Sequence, residues 1–215
     1  MEVCSLFSGI GGIDLGFQQA GFDIVWANEF DKDAAITYRH NFCSKYLVEK
    51  DIRKVEITEI PDFYILVAGF PCQPFSIMGF RKGFNDPRGN LFFEIARIAE
   101  SKKPKVIFLE NVANLLEHDD GKSFLTVYNA LAPQGYSIRY QLMDSLEYGN
   151  VPQRRTRIFI VAFKDLEACE RFKFPNKVEL TTKLNDILVR EVKHDDIYYY
   201  NKSSFYYDEL RRIVT

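Results

Sequence analysis

Tyr64-Ile65-Leu66-Val67-Ala68 runs without interruption into Gly69-Phe70-Pro71-Cys72-Gln73-Pro74-Phe75-Ser76, and a loop holding Gly79, Gly83, Pro87 and Gly89 follows. A continuous apolar run of that length, bounded by Gly and Pro, predicts a strand buried on both faces. Cys72 is then expected just past the carboxyl end of a central strand, where open α/β sheets place their ligands. Pro71 and Pro74 restrict the backbone on either side of the thiol and hold it toward solvent. Free cysteines are commonly buried and inert; this setting favours a nucleophile instead.

Outward from that strand, apolar runs and helical periodicities alternate. Val3–Phe7 predicts a first strand, followed by the glycine turn Ser8-Gly9-Ile10-Gly11-Gly12 and a helix with Ile13, Phe17 and Ala20 on one face, ended by Gly21. Asp23–Asn28 predicts a second strand with Glu29 at its exit. Asp31 caps a helix to about Phe42 with Ala34, Ala35 and Tyr38 inward. A short third strand near Tyr46–Val48 ends at Asp51-Ile52. After the Cys72 strand, a helix opens at Asn90 with Leu91, Phe92, Ile95, Ile98 and Ala99 on one stripe. Val106–Leu109 is the fifth strand and delivers Glu110-Asn111. A helix over Ser123–Leu131 and two strands, Tyr136–Asp144 and Arg157–Ala162, complete the pattern; the order and direction of those two remain open. The fold class is α/β, a doubly wound, mostly parallel sheet. Beyond Lys164 the pattern weakens, with a short helix expected at Thr181–Leu188.

The 215 residues suffice for one well-buried domain with a small appendage. A hydrophobic content of 47% with 27% charged residues is that of a soluble domain. No apolar stretch is long enough for a membrane span, and no membrane partner is expected. The four cysteines show neither close pairing nor zinc-like spacing, which indicates a reducing, cytoplasmic setting and no metal. A net charge of −2 gives no support for a nucleic-acid partner on bulk charge. Basic residues do cluster locally, at Arg81, Lys82 and Arg88 and at Arg154, Arg155 and Arg157.

The first strand and its glycines have the form of a nucleotide-type site, with Glu29 placed for ribose hydroxyls and Asp51 for an adenine amine. Gly9-x-Gly11-Gly12 is not the GxGxxG of dinucleotide sites, so an adenosyl ligand fits better than a dinucleotide. A tight turn without ligand is the competing reading of the glycines alone. Glu110 at a sheet edge beside Cys72 could be held protonated by partial burial and donate to a ring nitrogen, although an isolated strand-end Glu is more often solvated. Alternation puts Arg155 and Arg157 on one face of the last strand.

Taken together, Phe7-Ser8-Gly9-Ile10-Gly11-Gly12, Gly69-Phe70-Pro71-Cys72-Gln73-Pro74-Phe75-Ser76, Glu110-Asn111-Val112 and Gln153-Arg154-Arg155-Thr156-Arg157 resemble, in order, the motifs of the bacterial C5-cytosine DNA methyltransferases of restriction–modification systems. The resemblance implies methyl transfer from S-adenosyl-L-methionine, leaving S-adenosyl-L-homocysteine, to C5 of a cytosine flipped out of double-stranded DNA. It implies that Cys72 attacks C6, that Glu110 donates to N3, and that Arg157 with Arg155 holds O2. It assigns the cofactor pocket to Phe7, Gly9, Ile10, Gly12, Glu29, Phe30, Asp51, Ile52, Pro71 and Leu91. A closing loop with DNA contacts falls to Gln73, Ser76, Arg81, Lys82 and Arg88.

The resemblance spans Val3 to Phe163, so residues 1–165 are expected to form the cofactor and catalytic domain. Residues 166–215 are expected to begin the connection to a target-recognition region. The family's recognition region and final closing motif have no counterpart in these residues. That implies a second subunit or a further C-terminal segment, and weak or no site-specific methylation by this chain alone. Two other readings share the scaffold: an RNA cytosine-C5 methyltransferase, and a non-catalytic S-adenosylmethionine-binding subunit. Methyl transfer to duplex DNA against transfer RNA separates the first, and covalent trapping at Cys72 the second.

Overall fold

A computed structural model describes residues 1–71 and 91–188. Cys72, Gln73, Ser76, Arg81, Lys82 and Arg88, with the whole expected loop, lie outside the described residues, as does 189–215.

Seven strands form one sheet: β1 (Glu2–Leu6), β2 (Asp23–Glu29), β3 (Leu47–Glu49), β4 (Ile65–Gly69), β5 (Val106–Val112), β6 (Ser137–Asp144) and β7 (Thr156–Phe163). Their order is β3-β2-β1-β4-β5-β7-β6. The first five are mutually parallel, and β7 is antiparallel to both β5 and β6. The chain therefore reverses direction once, by a hairpin at the β6 edge, and the α/β expectation holds.

Alternation along the central strands builds two cores. Cys4, Leu6, Leu66, Ala68, Ile107 and Leu109 pack on one face against α3 (Phe92–Lys102) and α4 (Lys122–Leu131), through Phe92, Ile95, Ile98, Val127 and Leu131. Their neighbours Val3, Ile65, Val67, Val106 and Phe108 turn to the other face. There they meet Ile13 and Phe17 of α1 (Gly12–Gln19) and Ala35 and Tyr38 of α2 (Lys32–Asn41). Strands buried on both sides need apolar residues at every position, which is why β4 reads as an unbroken run.

Local chemistry bounds α2 and α3 where expected. The Asp31 carboxylate accepts the N–H of Ala34 and caps α2. Lys103 takes the left-handed conformation at the end of α3. Three expectations shift. In α1, Asp14 is the fully buried residue and Ala20 is exposed, because two hydroxyls hold Asp14 inward beside the apolar contacts of Ile13 and Phe17. Glu110 and Asn111 lie inside β5 rather than past its end, since β7 pairs with that strand as far as Val112. The expected helix over 181–188 is the single turn α7 (Leu184–Ile187), with Thr181 and Thr182 held elsewhere.

Candidate active site

The carboxyl ends of β1, β2, β3, β4 and β5 converge beside the point where the chain passes to opposite sides of β1. The loop after β1 is tightly specified. Phe7 has φ 54, Gly9 φ 55 and Gly11 φ 94. A Cβ at Gly11 would meet the Phe42 ring at 2.1 Å, so only glycine fits there. A non-glycine residue in the left-handed region costs about 1 kcal/mol or more, and Phe7 is held in it at the cavity wall. Ser8 N–H donates to the Asn28 carbonyl (3.0 Å), which ties this loop to β2.

Glu29 organises the mouth. Its Oε2 accepts Gly9 N–H (2.7 Å), and its Oε1 accepts Phe30 N–H (2.8 Å) and Asp31 N–H (2.7 Å). A carboxylate offers about four lone-pair sites, so three are engaged and one remains on the Oε2 side. Asn28 is buried and donates to the Val48 and Lys50 carbonyls, at 3.0 and 2.7 Å, fixing β2 against β3. Asp51 takes Arg53 N–H (3.0 Å) and is gripped by its guanidinium, Nη2 to Oδ2 at 2.5 Å. That grip holds the Asp51 carboxyl below its ordinary pKa against a smaller opposing effect of burial.

These residues enclose a cavity of about 350 Å³ lined by Phe7, Asn28, Glu29, Phe30, Asp51, Ile52, Arg53, Gly69, Pro71 and Leu91. Seven of the ten residues expected of a cofactor pocket are in that lining. Gly9 stands behind Glu29, Gly12 opens α1, and Ile10 is exposed; none of the three lines the cavity. Asn28, Arg53 and Gly69 join it. Phe30 is 72% exposed at the rim, an apolar ring with its face free among the described residues.

Gly69 links this cavity to a second group. It pairs with Glu110 across β4 and β5, and a Cβ at Gly69 would stand 3.5 Å from Glu110 Oε2. The Glu110 carboxylate thus reaches over Gly69 to the cavity wall. On its other side Arg157 Nε meets Glu110 Oε1 at 3.1 Å, with each side chain about one-fifth exposed. Arg157 sits opposite Val112, two residues along from Glu110 on the same face, so the pair is diagonal across the strands. Asn111, on the opposite face, is buried and donates to the Phe70 carbonyl (2.9 Å), while its Oδ1 accepts Val112 N–H. Phe70 packs on Phe92 with ring centroids 5.5 Å apart. The backbone entering Cys72 is therefore held from both its carbonyl and its side chain.

Arg155 does not join this pair in the described structure. β7 begins at Thr156, one residue later; the Arg155 side chain is exposed and its carbonyl accepts Ser145 N–H (3.2 Å). That bond continues the β6–β7 ladder one position beyond the Asp144–Thr156 pair.

A strand end leading into Pro71, beside a Glu–Arg pair and a cavity lined by Phe7, Glu29 and Asp51, is a specific combination, and the family model for C-5 cytosine-specific DNA methylase matches residues 1–214. The chain belongs to that family. It is 50% identical over 210 residues to the Type II methyltransferase M.Bsp6I of Bacillus sp. strain RFL6, covering 96% of this chain and 66% of that one. Against the Type II methyltransferase M.HhaI of Haemophilus parahaemolyticus it is 45% identical over 196 residues, covering 90% and 59%. The Entamoeba histolytica methyltransferase EhMeth superposes with a TM-score of 0.68 at 26% identity, over 90% of this chain and 61% of that one. The chain spans about three-fifths to two-thirds of these relatives' lengths.

One feature beside the cavity carries no sequence signal. Beneath the glycine loop, Asp14 is fully buried and accepts the Ser5 and Tyr38 hydroxyls, each at 2.6 Å. Burial pushes the Asp14 pKa up, opposed by those two hydrogen bonds. Tyr38 stacks on Phe42 (4.5 Å), the same ring that closes over Gly11. An acid in the first turn of a helix ordinarily reads as a surface residue favoured by the helix dipole; only the tertiary structure reveals this one as a joint between β1, α1 and α2.

Proposed function

We propose that this chain is the cofactor-binding and catalytic part of a C5-cytosine DNA methyltransferase. The observation that carries the reading is the Glu110–Arg157 pair abutting Gly69, which stands at the wall of the cavity and three residues before Cys72 in the sequence. The description of the matching family, C-5 cytosine-specific DNA methylase, supports DNA as substrate.

The cavity fits an adenosyl ligand. Phe7, Phe30, Ile52, Pro71 and Leu91 offer apolar walls for a planar base and a thioether-like chain, and Glu29 keeps one lone-pair site for a ribose hydroxyl. Asp51 supplies acceptor oxygens for an exocyclic amine. S-adenosylmethionine, when bound there, supplies an electrophilic methyl group. No group of acidic, His and Cys side chains that could hold a metal occurs among the described residues.

The target cytosine has to leave the helical stack, because neither face of its ring is accessible within it. Cys72 thiolate then forms a bond to C6, and the C5–C6 π electrons move to C5 and into the ring. Glu110, in its protonated form, donates a hydrogen bond to N3 and stabilises that charge, and Arg157 orients Glu110 and donates to O2. C5 uses the new electron pair to form its bond to the methyl carbon as the carbon–sulfur bond breaks, its electron pair staying on sulfur in the departing thioether S-adenosylhomocysteine. Loss of the C5 proton restores the C5–C6 double bond and expels Cys72 as thiolate. Arg155 stands ready, as an exposed cation, for phosphate.

Site-specific transfer, in this account, also needs target recognition from a further segment or a second subunit, consistent with the share of the relatives' length that this chain covers. The bacterial relatives favour a cytoplasmic setting. Labelled methyl transfer by the gene product at its natural length, onto duplex DNA and onto transfer RNA, tests the reading. Label at cytosine C5 of DNA, lost in Cys72→Ser, is expected. Label on transfer RNA alone overturns DNA as substrate, and none on either overturns catalysis.

A further inference from the structure

The helical turn α5 (Ser145–Tyr148) is joined to β7 by residues 149–155, the loop that delivers Arg157 to Glu110. Little apolar burial fixes this loop: Val151 is 40% exposed, and Gln153, Arg154 and Arg155 are all exposed. Polar ties hold it, and they come from two sides. On the inner side, the Ser145 hydroxyl donates to the Gln153 carbonyl (2.6 Å), and the Thr156 hydroxyl donates to Asp144 (2.7 Å). On the outer side lies the extended segment after α6 (Leu166–Arg171). Lys177 pairs with Glu147 at 2.7 Å, and Val178 N–H donates to the Glu147 carbonyl at 2.8 Å.

The centre of the outer set is Asn150. Its Oδ1 accepts two successive backbone N–H groups, Thr181 at 2.8 Å and Thr182 at 3.0 Å, and its Nδ2 donates to the Thr181 hydroxyl at 2.9 Å. Two backbone donors converging on one atom require the amide oxygen there, so the side chain has one orientation. The Asn150 backbone is left-handed, φ 51, a conformation that Asn and Gly tolerate best. One side chain thus joins the strap at 177–182 to the loop that carries the arginines.

We propose that Asn150 is a positioning residue for methyl transfer, holding the 149–155 loop in the register at which Arg157 meets Glu110. The inference rests on the methyltransferase reading. Asn150 touches neither base nor cofactor in this account; it acts through the loop. A loop with few buried contacts opens at low cost, and a misplacement of about 1 Å at a catalytic group lowers rate by up to two orders of magnitude.

Asn150→Gly keeps the left-handed backbone and removes every side-chain tie. Asn150→Asp keeps an oxygen for both backbone donors and for the Thr181 hydroxyl. In Asn150→Gly, hydrogen exchange across 151–157 should rise about tenfold and kcat should fall on the order of tenfold. KM for S-adenosylmethionine should stay within about twofold, since the cavity is lined by other strands. Asn150→Asp should restore both exchange and kcat. An active wild type with an unchanged Asn150→Gly overturns this inference alone, as does a loss that Asn150→Asp fails to rescue or one that appears in KM instead of kcat. An inactive wild type overturns the methyltransferase reading and this inference with it.

Discussion

Glu110 and Arg157 lie diagonally across the antiparallel pair β5–β7, Oε1 to Nε at 3.1 Å, with Gly69 against the other carboxylate oxygen. The arrangement depends on β7 entering the sheet antiparallel beside β5. A parallel strand in that place would bring Arg157, at its start, to the opposite end of β5.

The guanidinium has a planar fork that an ammonium lacks. Arg157→Lys is expected to lower kcat on the order of a hundredfold, with S-adenosylmethionine affinity unchanged. Steady-state kinetics paired with calorimetry reads this directly. An equal loss in cofactor affinity would place Arg157 in the wrong pocket.

Asn111 secures the other side of β5. Removing its amide deletes two hydrogen bonds, to the Phe70 carbonyl and from Val112 N–H, at about 0.5–1.5 kcal/mol each. Asn111→Ala should therefore show a lower urea midpoint and slower turnover, because Phe70 and Pro71 lead into Cys72. A variant of unchanged stability contradicts the anchoring role.

Glu29 holds three backbone N–H groups while keeping one acceptor site open. Glu29→Gln turns an amide N–H₂ toward donors and should weaken S-adenosylmethionine binding by about tenfold or more, by calorimetry on the folded variant. Unaltered binding would remove Glu29 from the cofactor site.

Asp14 gives a pH dependence of defined sign. Its carboxyl binds a proton more tightly folded than unfolded, because burial raises its pKa. Its contribution to stability is thus complete below the unfolded value near 4 and declines as pH rises through the folded value. Relative to Asp14→Asn, the wild type should lose stability as pH increases from about 4 toward neutrality. Urea midpoints for both proteins across that range measure the difference. Asp51 and Asp144, whose pKa values are lowered mainly by hydrogen bonds from Arg53 and Thr156, act in the opposite direction and cancel in the comparison. A flat difference contradicts the burial of a titrating Asp14.

Much of the cofactor side is legible in sequence, because strand ends in a doubly wound sheet are marked by where apolar runs stop. Phe7, Glu29, Asp51 and Pro71 each stand at such a stop, and all four line the cavity. The strand order beyond β5 is not legible. Ile107 and Leu109 look alike whether β6 or β7 lies beside them, and only the observed pairing places Arg157 by Glu110. Arg155 and Arg157 look equivalent by spacing, and only the structure separates them: Arg157 meets Glu110, while the Arg155 side chain is exposed. Asn150 and Asp14 escaped because their partners lie 31 and 24 residues away, at Thr181 and Tyr38, and no local spacing connects them.

In the proposed mechanism, Cys72 attacks cytosine C6. A duplex carrying 5-fluorocytosine blocks the final proton loss, so the protein with S-adenosylmethionine should form a denaturant-stable adduct mapping by mass spectrometry to Cys72, absent in Cys72→Ser. A wild type that methylates cytosine DNA yet forms no such adduct, or forms it equally in Cys72→Ser, would contradict the account.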